Sequence, residues 1–305
     1  MQYNFEDAPA VRKKTPLKIS ISGVSGSGKT YSSLLLARGL SSSWDKIGVI
    51  DTEANSSALY AQISLDYLPD GSTFRTLKGG LQPPYEPEKF IAAMNHFVRQ
   101  GMETIIIDSA SKEWDGKGGI LEMSDSGNFR SWAEITPKHT AFLEAIVNCP
   151  VHLITTLRSK ADYTMEQDQS SKRTKVKKLG TKAVQRDGFE YEVTLGFNIH
   201  QNNHVTCEKD RTKLFHRCNP FVITPDHGKQ LLDWSNSGFV DPEIVYTATG
   251  PEKDVLFKLM RKLRLSDMDD MRAVEAKIRE LKPPMKRFEE VATEIINRFT
   301  QEKNQ

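Results

Sequence analysis

The stretch GVSGSGKT, residues 23–30, decides how the rest of this chain is read. It fits G-x-x-x-x-G-K-[ST] at every position, follows the β-branched run LKISIS (17–22), and opens a segment with helical spacing, 28–40. A strand, a glycine-rich turn and a helix start in that order build a phosphate cradle. The glycines let backbone N–H groups turn toward one point, and the helix N-terminus adds partial positive charge. Gly23, Ser25, Gly26, Ser27, Gly28, Lys29, Thr30 and the adjoining Tyr31 are the candidate nucleotide contacts. Lys29 would reach the β- and γ-phosphates, and the Thr30 hydroxyl would ligand Mg2+. The expected ligands are therefore ATP and Mg2+.

Outward from this motif, apolar runs alternate with helical patterns. KIGVID (46–51), TFRTL (73–77), TIIIDS (104–109) and VHLITT (151–156) read as strands, and 87–100 and 131–148 as helices. Such alternation predicts an α/β fold, a mostly parallel sheet flanked by helices. FEYEVTLGFNIH (189–200) and HVTCEKDRTKLF (204–215), separated by QNN, predict a β-hairpin. On that reading Lys209 and Arg211 share one strand face and Asp210 takes the other. Residues 159–182 are polar and aperiodic and read as a mobile loop. The expected organisation is an N-terminal arm (1–16), a core (17–234), a linker (235–250) and a small C-terminal helical appendage (251–305), in which Pro251 and Ser266 suit helix starts.

The 305 residues are 38% hydrophobic and 27% charged, with net charge +2, so a nucleic-acid partner must be argued from local clusters. Three scattered cysteines, Cys149, Cys207 and Cys218, suit a reducing compartment. No apolar run reaches the ~18 residues a membrane span requires, so the expectation is a cytoplasmic protein with no membrane partner. His200, His204, Cys207, His216 and Cys218 lie close in sequence but match no zinc-finger spacing.

Two further strand ends carry carboxylates. Asp108 closes TIIIDS, the place for an aspartate that holds Mg2+ or its waters. VIDTEANS (49–56) offers Asp51 and Glu53 at the end of another strand, where a carboxylate could orient or deprotonate water, or simply sit in a solvated loop.

In order, GVSGSGKT, VIDTEANSSALYA (49–61), TIIIDSAS (104–111) and HLITTLRSK (152–160) resemble the RecA-type recombinase ATPases. EKDRTKLF falls where that fold carries a K-x-R or K-x-K element. The layout is most similar to phage-encoded RecA-like ATPases of single-strand annealing and recombination, over residues 3–234. The resemblance implies a RecA-like P-loop NTPase core hydrolysing ATP, in the cytoplasm of a phage-infected or prophage-carrying bacterium. Glu53 would be the catalytic glutamate and Asp108 the Walker B aspartate. Thr156 falls at the γ-phosphate sensor, where the recombinase carries a longer glutamine. Lys209 and Arg211 would complete a neighbouring subunit's site, which requires a ring or filament with ATP between subunits. Without the resemblance, the same charges suit a strand edge protected against aggregation. FEDA (5–8) is similar to an F-x-x-A tether anchored by Phe5 and Ala8, although Phe5 could equally pack on its own core.

Two segments would face single-stranded DNA. The first, 112–131, offers Lys117 and Arg130. The second, 158–186, carries Arg158, Lys160, Lys172, Arg173, Lys175, Lys177, Lys178, Lys182 and Arg186 against Asp162, Glu166 and Asp168, a charge excess suited to phosphate backbones. Two other functions remain open: a DnaB-like helicase motor or its loader, and a nucleotide-gated assembly protein with vestigial hydrolysis.

Overall fold

A computed structural model describes residues 12–61, 72–124, 129–167 and 174–237. Chain contacts define one compact unit, Pro16–Trp234, and a second made of Met1–Thr15 with Ser235–Gln305. The expected FEDA tether and the C-terminal helices lie outside the described residues, as do Lys172 and Arg173.

All the strands described belong to the first unit. They are β1 (Lys18–Gly23), β2 (Ile47–Asp51), β3 (Arg75–Thr76), β4 (Thr104–Asp108), β5 (His152–Gln167), β6 (Thr174–Ala183), β7 (Leu195–Ile199) and β8 (Val205–Asp210). Their order is β3-β2-β4-β5-β1-β7-β8, with β6 paired to β5. From β3 to β7 along this path every pairing is parallel, and β8 closes the edge antiparallel to β7. Strands β1, β2 and β4 are buried along their whole length; β2 (IGVID) and β4 (TIIID) accordingly read as near-continuous apolar runs, whereas β1 (KISISG) alternates and buries Lys18, Ser20 and Ser22 as well.

Helices cover both faces. α1 (Lys29–Leu40) packs Leu34, Leu36 and Leu40 into a core with Ile19, Ile21, Trp44 and Phe197. α2 (Pro87–Arg99) begins with proline at a first-turn position and buries Phe90, Ala93, Met94 and Phe97. With Phe142 and Ile146 of α5 (Phe129–Val147) these side chains form the opposite core. Short helices α3 (Ser111–Asp115), α4 (Ile120–Ser124) and α6 (Phe189–Glu192) and a final α7 (Pro225–Asn236) complete the unit. The result is the expected α/β P-loop NTPase core. The strand carrying the glycine-rich loop and the strand ending in Asp108 are separated by β5 alone.

Four expectations need correction. The described residues of the polar segment 159–182 are not loop: β5 continues past the sheet over 159–167 and pairs antiparallel with β6 from Ser159↔Ala183 to Gln167↔Thr174, with a register shift at Asp162/Tyr163. A backbone ladder holds this ribbon, so its sequence shows no apolar period. The strand expected at 73–77 shortens to Arg75–Thr76. Within 112–131, expected to be a DNA-facing loop, the described residues are largely helical, with Arg130 in the first turn of α5. The hairpin is shorter than expected, because 189–192 is helical and β8 stops at Asp210, leaving Arg211 in the turn that follows. The Asp210 carboxylate causes that stop. It accepts hydrogen bonds from the N–H groups of Thr212, Lys213 and Phe215, which closes a turn in place of a strand.

Candidate functional site

Because the central strands are parallel, their carboxyl ends meet along one edge of the sheet, where α/β folds bind ligands. Gly23, Asp51, Asp108 and Arg158 arrive there together. Gly23 pairs with Arg158 across the β1–β5 ladder, and Asp51 pairs with Asp108 across β2–β4. A cavity of about 610 Å3 opens at this edge, lined among others by Gly26, Gly28, Lys29, Thr30, Glu53, Asp108 and Arg158. Exposed Leu59 and Tyr60 form an apolar rim, and Tyr31 meets Tyr60 edge-on at 5.7 Å.

The glycine-rich loop depends on backbone geometry that side chains oppose. Gly28, which precedes α1, has φ 89°, and a Cβ there would meet Asn203 Nδ2 at 2.7 Å. That contact exists because Asn203, in the β7–β8 turn, donates to the Ser27 carbonyl at 2.9 Å. Ser27 is fully buried and donates to the Val24 carbonyl at 2.8 Å, so it shapes the loop from inside and does not line the cavity. Lys29 Nζ also donates to the Val24 carbonyl, at 2.8 Å. Burial lowers the Lys29 pKa, with Asp108 and Glu53 opposing and Arg158 adding to the effect.

Asp108 is almost wholly buried at the end of β4. Thr30 Oγ1 donates to its Oδ2 at 2.6 Å, and Thr156 Oγ1 donates to Oδ1. Desolvation raises the Asp108 pKa against those two hydrogen bonds, with Glu53 and Asp51 adding to the rise. A desolvated carboxylate touching the Thr30 hydroxyl is a donor set of hard oxygens, which suits Mg2+. Thr156, which the resemblance puts at the sensor position, is fully buried and supports Asp108.

The two carboxylates after β2 have different tasks. Asp51 is fully buried and accepts from the backbone N–H of Glu53 at 2.6 Å and of Ser57 at 2.8 Å, fixing the turn. The Glu53 side chain extends into the cavity, where Arg158 Nε and Nη2 both donate to its Oε1, at 3.0 and 2.8 Å. Arg158 therefore lines this cavity, at the start of the segment expected to face nucleic acid. Sequence reasoning missed this pair and the role of Asn203. The first spans 105 residues without any motif; the second had one weak signal, an asparagine in a turn, where positive φ (64°) is tolerated.

Lys209 and Arg211 are elsewhere. In the ladder Lys209 lies opposite Gly196 and Asp210 opposite Leu195, toward the amino ends of β1 and β7. The turn that touches Ser27 is at the other end of β8. Lys209 Nζ donates to the carbonyls of Glu190 and Tyr191, and Arg211 donates to Tyr191, so the two cations cover the carboxyl end of α6. Among the DNA candidates, Lys117 is exposed, Lys160 and Lys182 pair with Asp115 and Asp187, and Lys175, Lys177 and Lys178 take positions along β6. No helix among the described residues is long and apolar enough to cross a membrane.

The chain is 32% identical over 121 residues to the signal recognition particle 54 kDa protein of Thermococcus kodakarensis, a match covering 39% of this chain and 26% of that protein. It thus spans about a quarter of the length of that relative. A KaiC-like protein from Pyrococcus horikoshii aligns in structure with TM-score 0.40 and 16% identity, over 69% of this chain and 87% of that one. A family model described as an AAA domain matches residues 15–235, the whole sheet and its helices, and the chain belongs to that family, AAA_24.

Proposed function

We propose that this protein is a Mg2+-dependent ATPase that assembles around its nucleotide and acts on single-stranded DNA in recombination, annealing or replication. One observation carries the catalytic part: Lys29, the Thr30–Asp108 pair and Glu53 face a single cavity at the carboxyl edge of the sheet. Lys29 and the loop N–H groups would hold the phosphates. Mg2+ held by Thr30 and Asp108 would neutralise charge on the phosphate oxygens. Glu53 would accept a proton from the attacking water as its oxygen bonds the γ-phosphorus. The bond to the bridging oxygen of ADP then breaks, giving ADP and inorganic phosphate.

The assembly part rests on where Lys209 and Arg211 sit. At ~3.3 Å per residue, Lys209 lies ~13 Å along β8 from the end that adjoins the loop, too far to serve its own nucleotide. A cation supplied from a neighbour in such reactions contributes about 10³–10⁵ in rate. The DNA part rests on the lysines of β6, in a ribbon that projects from the strand next to the site.

ATP turnover measured with and without single-stranded DNA, with electron microscopy of the same sample, tests the whole reading. DNA-stimulated turnover in a ring or filament is expected. Glu53→Gln should lower turnover by ~10²-fold or more while nucleotide still binds. Slow turnover unchanged by Glu53→Gln would favour a nucleotide-gated assembly protein, and unwinding of a duplex by the assembled form would favour a helicase motor.

A further inference from the structure

We propose that Arg158 is a nucleotide-state latch: in the free protein its guanidinium holds the Glu53 carboxylate, and a γ-phosphate draws it away and so releases Glu53 for catalysis. This rests on the ATPase reading above and adds a residue and a switching device to it.

The backbone of Arg158 is fixed on both sides. Its N–H donates to Ser111 Oγ at 3.0 Å, and its carbonyl accepts from the Val184 N–H at 2.6 Å. In the ladder it lies directly beside Gly23, the first residue of the phosphate loop. Only its side chain is free to change partner, and that side chain starts about 4.8 Å from the loop, the usual spacing of neighbouring strands. Both hydrogen bonds land on one oxygen, Glu53 Oε1, and do not engage the carboxylate fork-to-fork. The pair is also part exposed, 38% for Arg158 and 34% for Glu53. Ion pairs of that kind are weak and exchangeable.

The cavity supplies a stronger alternative partner. Besides Lys160, which pairs with Asp115, two cations line this space, Arg158 and Lys29, and the Arg158 charge is felt at Lys29. A triphosphate brings the anions that would satisfy both. Its terminal group presents three oxygens to a planar guanidinium, which binds phosphate as well as it binds carboxylate. A diphosphate ends one group short, and Arg158 would then return to Glu53. Glu53 would thus be free to take a proton from water only when there is a γ-phosphate to attack.

The test is a double-mutant cycle on the full chain, read by calorimetric binding of Mg2+ with ADP or with the non-hydrolysable β,γ-imido analogue of ATP. Arg158→Gln should weaken the triphosphate analogue by on the order of 10-fold or more and change ADP by less than about 2-fold, since only the last phosphate is deprived of a charged partner. Glu53→Gln should tighten the analogue about 2- to 5-fold by weakening the latch, and this gain should vanish in the Arg158→Gln/Glu53→Gln double variant. Arg158→Lys, which keeps charge without the fork, should fall between wild type and Arg158→Gln and serves as the folding control. Equal losses for both nucleotides, no loss at all, or a Glu53→Gln gain that persists in full without Arg158 would each overturn the latch. A wild-type chain that binds neither nucleotide would instead overturn the ATPase reading itself.

Discussion

At the scale of single residues, the phosphate loop is held in place by a side chain from outside its own motif. Asn203 donates to the Ser27 carbonyl and stands where a Cβ on Gly28 would fall. A net hydrogen bond of about 1 kcal/mol corresponds to ~5-fold in affinity. Asn203→Ala should therefore weaken Mg-nucleotide binding by about 5-fold with little change in melting temperature, because the turn is exposed. Asn203→Asp should weaken it further, since it removes the donor and brings a negative charge toward the phosphates. Unchanged titrations for both variants would show that the loop holds its own shape. Lys18 poses a different question at the foot of β1. It is buried, its ammonium donates to the carbonyls of Cys149 and Val151, and burial pushes its pKa down to about 8. Below that pH the folded chain carries a buried charge. Between pH 8 and the ordinary lysine value the unfolded chain keeps a proton that the folded chain has released, so stability rises with pH across that window. Lys18→Met removes this titration. Denaturant melts at pH 7.5 and pH 10 should show wild type gaining about 2 kcal/mol on the variant over that interval. Parallel behaviour would mean that the two carbonyls keep the ammonium charged.

At the scale of elements, β5 is the component that connects the proposed activities. Its first half lies between β1 and β4 in the parallel sheet, and its second half pairs with β6 alone. On the way it places Thr156 on Asp108 and, two residues later, Arg158 on Glu53. If the ribbon binds single-stranded DNA through phosphates, replacing Lys175, Lys177 and Lys178 by Glu should abolish DNA binding while nucleotide binding remains. Replacing them by Ala should flatten the log–log salt dependence by about 0.7 for each phosphate that is no longer neutralised. An unchanged salt slope would place the DNA elsewhere, with Lys117 as the next candidate. The ribbon also marks the limit of what the sequence makes legible. Strands β2 and β4 were readable because burial on both faces writes an apolar run into them, and β1 because its alternating isoleucines lead straight into the glycine-rich motif. The ribbon writes no such run, because hydrogen bonds between its strands hold it whatever its side chains are. The same division holds within the site. Lys29, Thr30 and Asp108 could be read because their spacing is local or because a strand ends on them. The roles of Arg158 and Asn203 could not, because each is defined only by a partner more than a hundred residues away.

At the scale of the whole molecule, the sheet has two working ends, and the groups proposed for catalysis are divided between them. The carboxyl edge holds Lys29, Thr30, Asp108 and Glu53, while Lys209 and Arg211 stand toward the other end of β8 over the carbonyls of α6. A cation placed there is either a helix cap or a group awaiting a neighbour's nucleotide, and the two alternatives predict different behaviour in mixtures. As caps, Lys209 and Arg211 act within one subunit, so their removal should lower stability and leave mixed assemblies no better than their parts. As trans-acting groups, they are missing from the neighbour's site, so the Lys209→Ala/Arg211→Ala variant retains an intact cavity of its own that lacks only the partner's cations. Lys29→Ala has the opposite defect, a broken cavity with cations still to offer. Neither protein alone should turn over ATP. Mixed, some interfaces pair an intact cavity with an intact donor, and turnover should return at a rate that rises to a maximum near equal proportions. A Lys209→Ala/Arg211→Ala variant that turns over ATP by itself, in mixtures no better than the sum of their parts although both variants co-assemble by microscopy, would leave Lys209 and Arg211 as caps on α6.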